Sequence, residues 1–343
     1  MIIYLLIFII SLFFLLFINV SLKKYNFCID KVSKNEEHKS LLQFDNKVPL
    51  SGSFYFLPII FTLNYFYNLN LIFICSCLFV IGVFSDLKIA NSPKLRLFLQ
   101  LIPVLIFLYF KEDFSIDVRV SYFNSLLENE IFRILIISFF FLVLINGYNF
   151  IDGVNLLCSL NFIIVLLFFL LIAKNHNFIE FEKLFLFLIL TLSIFIIFNF
   201  FGKNFLGDGG VYGFSCFLGI TAIYLSNKTD QVSPYFIANL LWYPAFENLF
   251  SIFRRTIYKK KNYRADNDHL HQILFKYLKS KNFIKKKYLL SSFTGIIINV
   301  YLSLFYIIGF IDYSDTKLQL ILIFSNTFIY LGIYQILKRN IYD

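Results

Sequence analysis

The chain has 343 residues, of which 59% are hydrophobic, 21% aromatic and only 15% charged, with a formal net charge of +10. Its mean hydropathy of +0.74 and its recurrent apolar runs exclude a soluble globule, and the lack of alternation excludes a membrane barrel. In such a chain a basic balance reads as cytoplasmic loops beside anionic lipid, not as a nucleic-acid surface.

Residues 2–20 form an almost unbroken apolar run followed by Lys23 and Lys24. A cleaved signal peptide carries its charge before the run, so the expectation is a first span with its N-terminus outside. Residues 23–47 are polar and basic; His38 stands alone there and is assigned no role. Spans are expected at 54–67 and 69–84, joined by a tight turn. Ser85-Asp86-Leu87-Lys88 follows, with Lys94 and Arg96 close behind. The basic residues suit a cytoplasmic loop, whereas an acidic residue at the inner end of a span is costly and marks a candidate site.

Further spans are expected at 97–110 and 131–145. The second ends in Asn146-Gly147-Tyr148-Asn149-Phe150-Ile151-Asp152-Gly153-Val154-Asn155. Asn146, Asn149, Asp152 and Asn155 recur every third residue and share a face if helical, a pattern that suits hydrogen bonds to a sugar or base. Capping around Gly147 and Gly153 accounts for one or two of them. Spans at 156–173 and 184–198 lead through Asn199 to the stretch FGKNFLGDGGVYGFSCF, residues 201–217. Asp208 there is flanked by Gly207, Gly209 and Gly210 between two apolar runs. Glycine lets backbone approach a ligand, and a carboxylate beside it is a hard ligand for Mg²⁺, which brings phosphates with it. The plainer reading is a turn whose Asp caps the next helix.

Spans at 211–226 and 234–253 precede a basic segment, 254–287, with Arg254, Arg255, Lys259, Lys260, Lys261 and then Ala265-Asp266-Asn267-Asp268-His269-Leu270-His271. Contact of these basic side chains with phosphate fits better than a zinc site, since no cysteine supports the latter. The five cysteines lie mostly in apolar runs without a CxxC pair, so neither a disulfide framework nor a zinc site is expected. Spans at 288–310 and 318–337 complete an all-α polytopic membrane protein of about eleven spans. It is read as one transmembrane domain, residues 1–343, with the C-terminus cytoplasmic. This parity puts most of the 31 Lys and Arg inside, and puts all four polar clusters on the cytoplasmic face.

The ordered set SDLK, NxxNFIDG, FLGDGG and DNDHLHQIL resembles the polyprenyl-phosphate N-acetylhexosamine-1-phosphate transferases of glycosyltransferase family 4. They are relatives of phospho-MurNAc-pentapeptide translocase and undecaprenyl-phosphate N-acetylglucosamine-1-phosphate transferase. The resemblance implies a multi-pass protein of the bacterial inner membrane with its active site facing the cytoplasm. It implies transfer of a HexNAc-1-phosphate from a UDP-N-acetylhexosamine to undecaprenyl phosphate with Mg²⁺ (Mn²⁺ as the alternative), releasing UMP for cell-envelope polysaccharide such as O-antigen. Nucleic acid is not a partner, and a homodimer is compatible. By the same resemblance Asp208 is the Mg²⁺ ligand, Phe205 packs on uracil, and Asn149, Asp152 and Asn199 contact the nucleoside. Asp86 acts on the lipid phosphate or assists as a base, and His269 and His271 lie near the phosphates. Lys88, Asn146, Asn155, Arg254 and Arg255 complete the expected substrate surround. Two departures stand out: the family's DD pair is Ser85-Asp86 here, and DGxDG reads Asp152-Gly153-Val154-Asn155-Leu156. They point to a branch with altered sugar choice or to an inactive relative; a transporter of lipid-linked sugars is the third reading, against which the one-sided clusters count.

Overall fold

A computed structural model describes residues 2–30, 47–67, 72–111, 114–257, 268–282 and 284–342. His38, Lys259, Lys260, Lys261, Arg264, Asp266 and Asn267 lie outside the described residues. The helices are α1 (Ile2–Tyr25), α2 (Gly52–Tyr67), α3 (Ile72–Asp86), α4 (Pro93–Phe110), α5 (Ser121–Leu127), α6 (Glu130–Ile151) and α7 (Leu157–Asn175). They continue as α8 (Ile179–Phe200), α9 (Gly207–Asn227), α10 (Pro234–Leu240), α11 (Trp242–Ile257), α12 (Leu270–Ser280), α13 (Lys287–Ile311) and α14 (Thr316–Tyr342). One two-residue strand pair, β1 (Ile29–Asp30) with antiparallel β2 (Val48–Pro49), is the exception to an all-α architecture among the described residues.

Among the described residues, 8 helices are long and apolar enough to cross a membrane, and two shorter apolar stretches, Gly52–Phe61 and Phe73–Asp86, fall in α2 and α3. Ten of the expected spans thus have an apolar helix at their position. The eleventh, at 234–253, is divided at Leu241 into α10 and α11. The reason lies in the side chains. Glu247, Asn248, Ser251, Arg254 and Arg255 of α11 face inward and are buried, while Leu249, Ile252, Phe253 and Ile257 are exposed. A helix with its polar stripe inside and its apolar stripe outside suits a protein whose surroundings are hydrocarbon.

The centre of the bundle is α9. Of its apolar window 83% is buried, against 28% for α1, α4 and α14. It packs against α2, α3, α6 and α7. Glycines permit the approach: a Cβ on Gly82 would fall on the backbone of Asp208 and Gly209, and one on Gly209 would meet the Ser53 side chain and the Phe79 carbonyl. The start of α9 is clamped from below. Phe205 donates its N–H to Pro49 O at 3.0 Å, and its carbonyl accepts from the N–H of Ser51 at 3.0 Å and Gly52 at 3.3 Å. At the opposite end of the bundle Arg119 joins three connections, donating to Ser314 O at 2.7 Å, Thr316 Oγ1 at 3.0 Å and Asp230 O at 2.5 Å.

Candidate active site at the start of α9

The plainer alternative, a turn in which Asp208 caps the next helix, is not what forms. Gly207, at φ +70°, turns the chain, and Asp208 is already inside the helix. The cap comes from another element: Asp86, at the end of α3, accepts from the N–H of Asp208 at 2.9 Å and of Gly209 at 3.3 Å. A carboxylate on the first free N–H groups satisfies them and complements the positive end of the helix dipole. A Cβ on Gly207 would press on the Asp86 carboxylate, so glycine is needed there both for backbone shape and for space.

With its backbone held by Asp86, Asp208 keeps its side chain partly exposed, as is that of Arg96. Its Oδ2 accepts from the Ser85 hydroxyl, from Arg96 Nη1 at 3.2 Å and from the Tyr212 hydroxyl at 3.3 Å. Arg96 also donates to Ser85 Oγ at 3.1 Å. Ser85, the position that departs from the paired Asp motif, therefore sits on Asp208 itself. Arg96, read from sequence as one of the basic loop residues, is its ionic partner 112 residues away. Asp152, just past the end of α6, is half-buried beside them. Loss of water, then the nearby charges of Asp208, Asp86 and Asp30, push its carboxyl well above the usual carboxylate range.

The α6 end also meets the histidine motif. A Cβ on Gly153 would strike the His271 ring. His271 is fully buried and neither ring nitrogen has a hydrogen-bond partner among the described residues. Burial first, then the neighbouring His269, push its imidazole down to about 3. His269 stacks on His271 at 5.6 Å and packs against Phe150 at 5.3 Å. Arg255 lies over the Phe150 ring at 5.7 Å. Residues from all four motifs thus converge on one end of the bundle, with the α6 terminus as the hinge between the Asp208 cluster and the histidines.

Several expected site residues serve the protein's own structure. Asn199 Oδ1 accepts from Leu156 N–H at 2.8 Å and Ser159 Oγ at 3.2 Å, and its amide donates to Asn204 O at 2.9 Å. Asn155 is buried, its N–H on Ser291 Oγ at 2.9 Å and its amide on Ser292 Oγ at 3.4 Å. Because α6 ends at Ile151 and Leu156 turns at φ +66°, Asn155 leaves the helical face that it was expected to share with Asn149 and Asp152. Asn146 donates to Gln100 Oε1 at 2.8 Å. Arg254 donates to Asp268 O at 2.6 Å and the Tyr334 hydroxyl at 2.9 Å, which fixes the approach to the histidines. Lys88 is exposed at φ +60°, two residues past Asp86. Phe205 and Asn149 are partly exposed. Sequence reasoning missed Glu247, buried against His269; an acidic residue inside the 234–253 apolar run was the signal for it.

The donor set bears on a divalent cation. No group of three or more His, Cys, Asp or Glu side chains forms a cage among the described residues. Mg²⁺ does not require one, since it is usually held by one or two carboxylates together with substrate phosphates and water. Asp208 fits that mode, with Asp152, raised by burial and then by like charge, beside it. Comparison with known proteins bears on what such a site does. The model of glycosyl transferase family 4 matches residues 68–226. That is the family the motifs resemble. Three of the four motifs, at Ser85–Lys88, 146–153 and 205–210, lie within the matched residues, and the histidine motif lies beyond them. No curated protein matches the chain. Glycosyl transferase family 4 implies a membrane-bound sugar-phosphate transferase, with a sugar-phosphate donor and a polyprenyl phosphate acceptor.

Proposed function

We propose that this protein transfers a HexNAc-1-phosphate from a UDP-N-acetylhexosamine to undecaprenyl phosphate, releasing UMP, in the synthesis of cell-envelope polysaccharide. The observation that carries the reading is the joint between Asp86 and the start of α9, which presents Asp208, Asp152 and Arg96 to one cleft. An oxygen of the lipid phosphate attacks the sugar-bearing phosphorus of the donor. The bond from that phosphorus to the bridging oxygen breaks, and its electron pair leaves with UMP. The attacking phosphate is ionised near neutral pH, so no strong base is needed.

Both reactants are anions, and repulsion is the barrier that the site lowers. Mg²⁺ bound at Asp208 would supply positive charge to the pyrophosphate, with Asp152 beside it as a contact to the nucleoside. Arg96 and Lys88 offer further positive charge, and His269 and His271 line the far side. Phe205 offers a ring to uracil, and Asn149 a hydrogen bond to the nucleoside. Asp86 holds the helix start. Asn146, Asn155, Asn199 and Arg254, engaged with the protein itself, support the walls. On this reading the broken α10–α11 pair is one crossing, giving about eleven spans with the N-terminus outside and the site cytoplasmic in the bacterial inner membrane.

The test is to incubate detergent-purified protein with undecaprenyl phosphate, Mg²⁺ and a panel of UDP-N-acetylhexosamines, and to measure UMP. Release that requires both lipid and metal is expected. A folded protein that releases none with any donor would replace this reading by an inactive relative or a transporter.

A further inference from the structure

Among the described residues, Glu247 is the one buried acidic side chain that the proposed chemistry leaves unused. It sits in α11 with no exposed surface. A carboxylate at that depth persists only if its oxygens are satisfied. Both are: Oε1 lies 2.9 Å from His269 Nδ1, and Oε2 accepts from the Tyr330 hydroxyl at 2.5 Å. Tyr330 is itself locked, with edge contacts to Trp242 at 5.9 Å, Phe246 at 5.0 Å and Phe250 at 5.6 Å.

We propose that Glu247, anchored by Tyr330, is a positioning residue that holds a proton of His269 on Nδ1 and so directs Nε2 at the substrate, where Nε2, once it carries a second proton, donates to the phosphates. An ionised carboxylate only accepts, so the nitrogen facing it carries the proton. Phe150 on one side and His271 on the other fix the plane of the ring. The charged groups around the pair are Arg254, held by Asp268 O and Tyr334, and Arg255 over Phe150. The two histidines are thereby given different environments: His269 has a carboxylate partner and His271 has none among the described residues. The role toward phosphate rests on the transferase reading; the tautomer does not.

The experiment uses the full chain in lipid nanodiscs with ¹⁵N-labelled histidine. The His269 ring signals are assigned by their loss in His269→Gln. In the wild type the proton is expected on Nδ1, far downfield as for a charge-assisted bond. In Glu247→Gln that proton is expected to move upfield, and kcat to fall about 10-fold with KM for the UDP-sugar little changed. A wild-type ring protonated on Nε2 alone overturns the proposal, and needs no variant. So does a Glu247→Gln protein with wild-type ring signals and kcat. If the ring signals behave as expected while no donor releases UMP, the Nδ1 tautomer set by Glu247 stands, and the role toward phosphate falls with the transferase reading.

Discussion

At the scale of single residues, the two aspartates of the central site have separate duties. Asp86 spends both oxygens on the backbone of α9, whereas Asp208 faces the cleft. Asp86→Ala should therefore destabilise the fold by about 1 kcal/mol, the usual cost of a lost cap, as well as reducing transfer. Asp208→Asn should leave thermal unfolding in detergent close to wild type while cutting UMP release by about 100-fold or more. Substantial turnover in that variant removes Asp208 from the chemistry. His271 makes a pH prediction. Its folded value of about 3 lies below the ordinary 6.5. Above 6.5 the ring is neutral in both states and contributes no pH dependence. As pH falls from 6.5 toward 3 only the unfolded chain takes the proton, so stability drops by up to about 1.4 kcal/mol per pH unit. Melting curves of wild type and His271→Phe should converge across that window; parallel curves would contradict a buried neutral ring.

At the scale of elements, the contact of α3 with α9 governs the geometry. Gly82→Ala places a methyl group on the backbone of Asp208 and Gly209. It should cost about 1–3 kcal/mol and disturb the site as well. Gly332→Ala in α14, where a Cβ meets nothing within 4 Å, is the control and should shift stability by no more than about 0.5 kcal/mol. Equal effects of the two would show that packing at Gly82 is looser than described. The broken span also belongs to this scale. Residues 234–253 average out as apolar, and an average hides which side each polar group takes. Only the structure reveals that Glu247, Asn248 and Ser251 share the inner face.

For the whole molecule, much was legible because hydrocarbon demands long apolar helices and leaves polar clusters as exceptions. Asp86, Asp152, Asp208 and the histidines stood out against that background, and the structure brings them to one end of the bundle. What stayed hidden depends on separation along the chain. Arg96 was one basic loop residue among several until α9 was laid beside α4, and Asn199 looked like a ligand contact until Leu156 and Asn204 filled its hydrogen bonds. A polar residue beside a helix end has the same sequence signature whether it holds substrate or backbone.

Tyr330 and Tyr334 lie in α14, after every other residue of the histidine assembly. During synthesis the Asp208 cluster emerges from the ribosome well before the hydroxyl that anchors Glu247. A nascent chain that stops at Ile311 contains every residue of the Asp208 cluster but lacks the hydroxyl that anchors Glu247. The order of translation thus separates the two halves of the site: the residues of the Asp208 cluster are made first, and the hydroxyl that anchors Glu247 is made last.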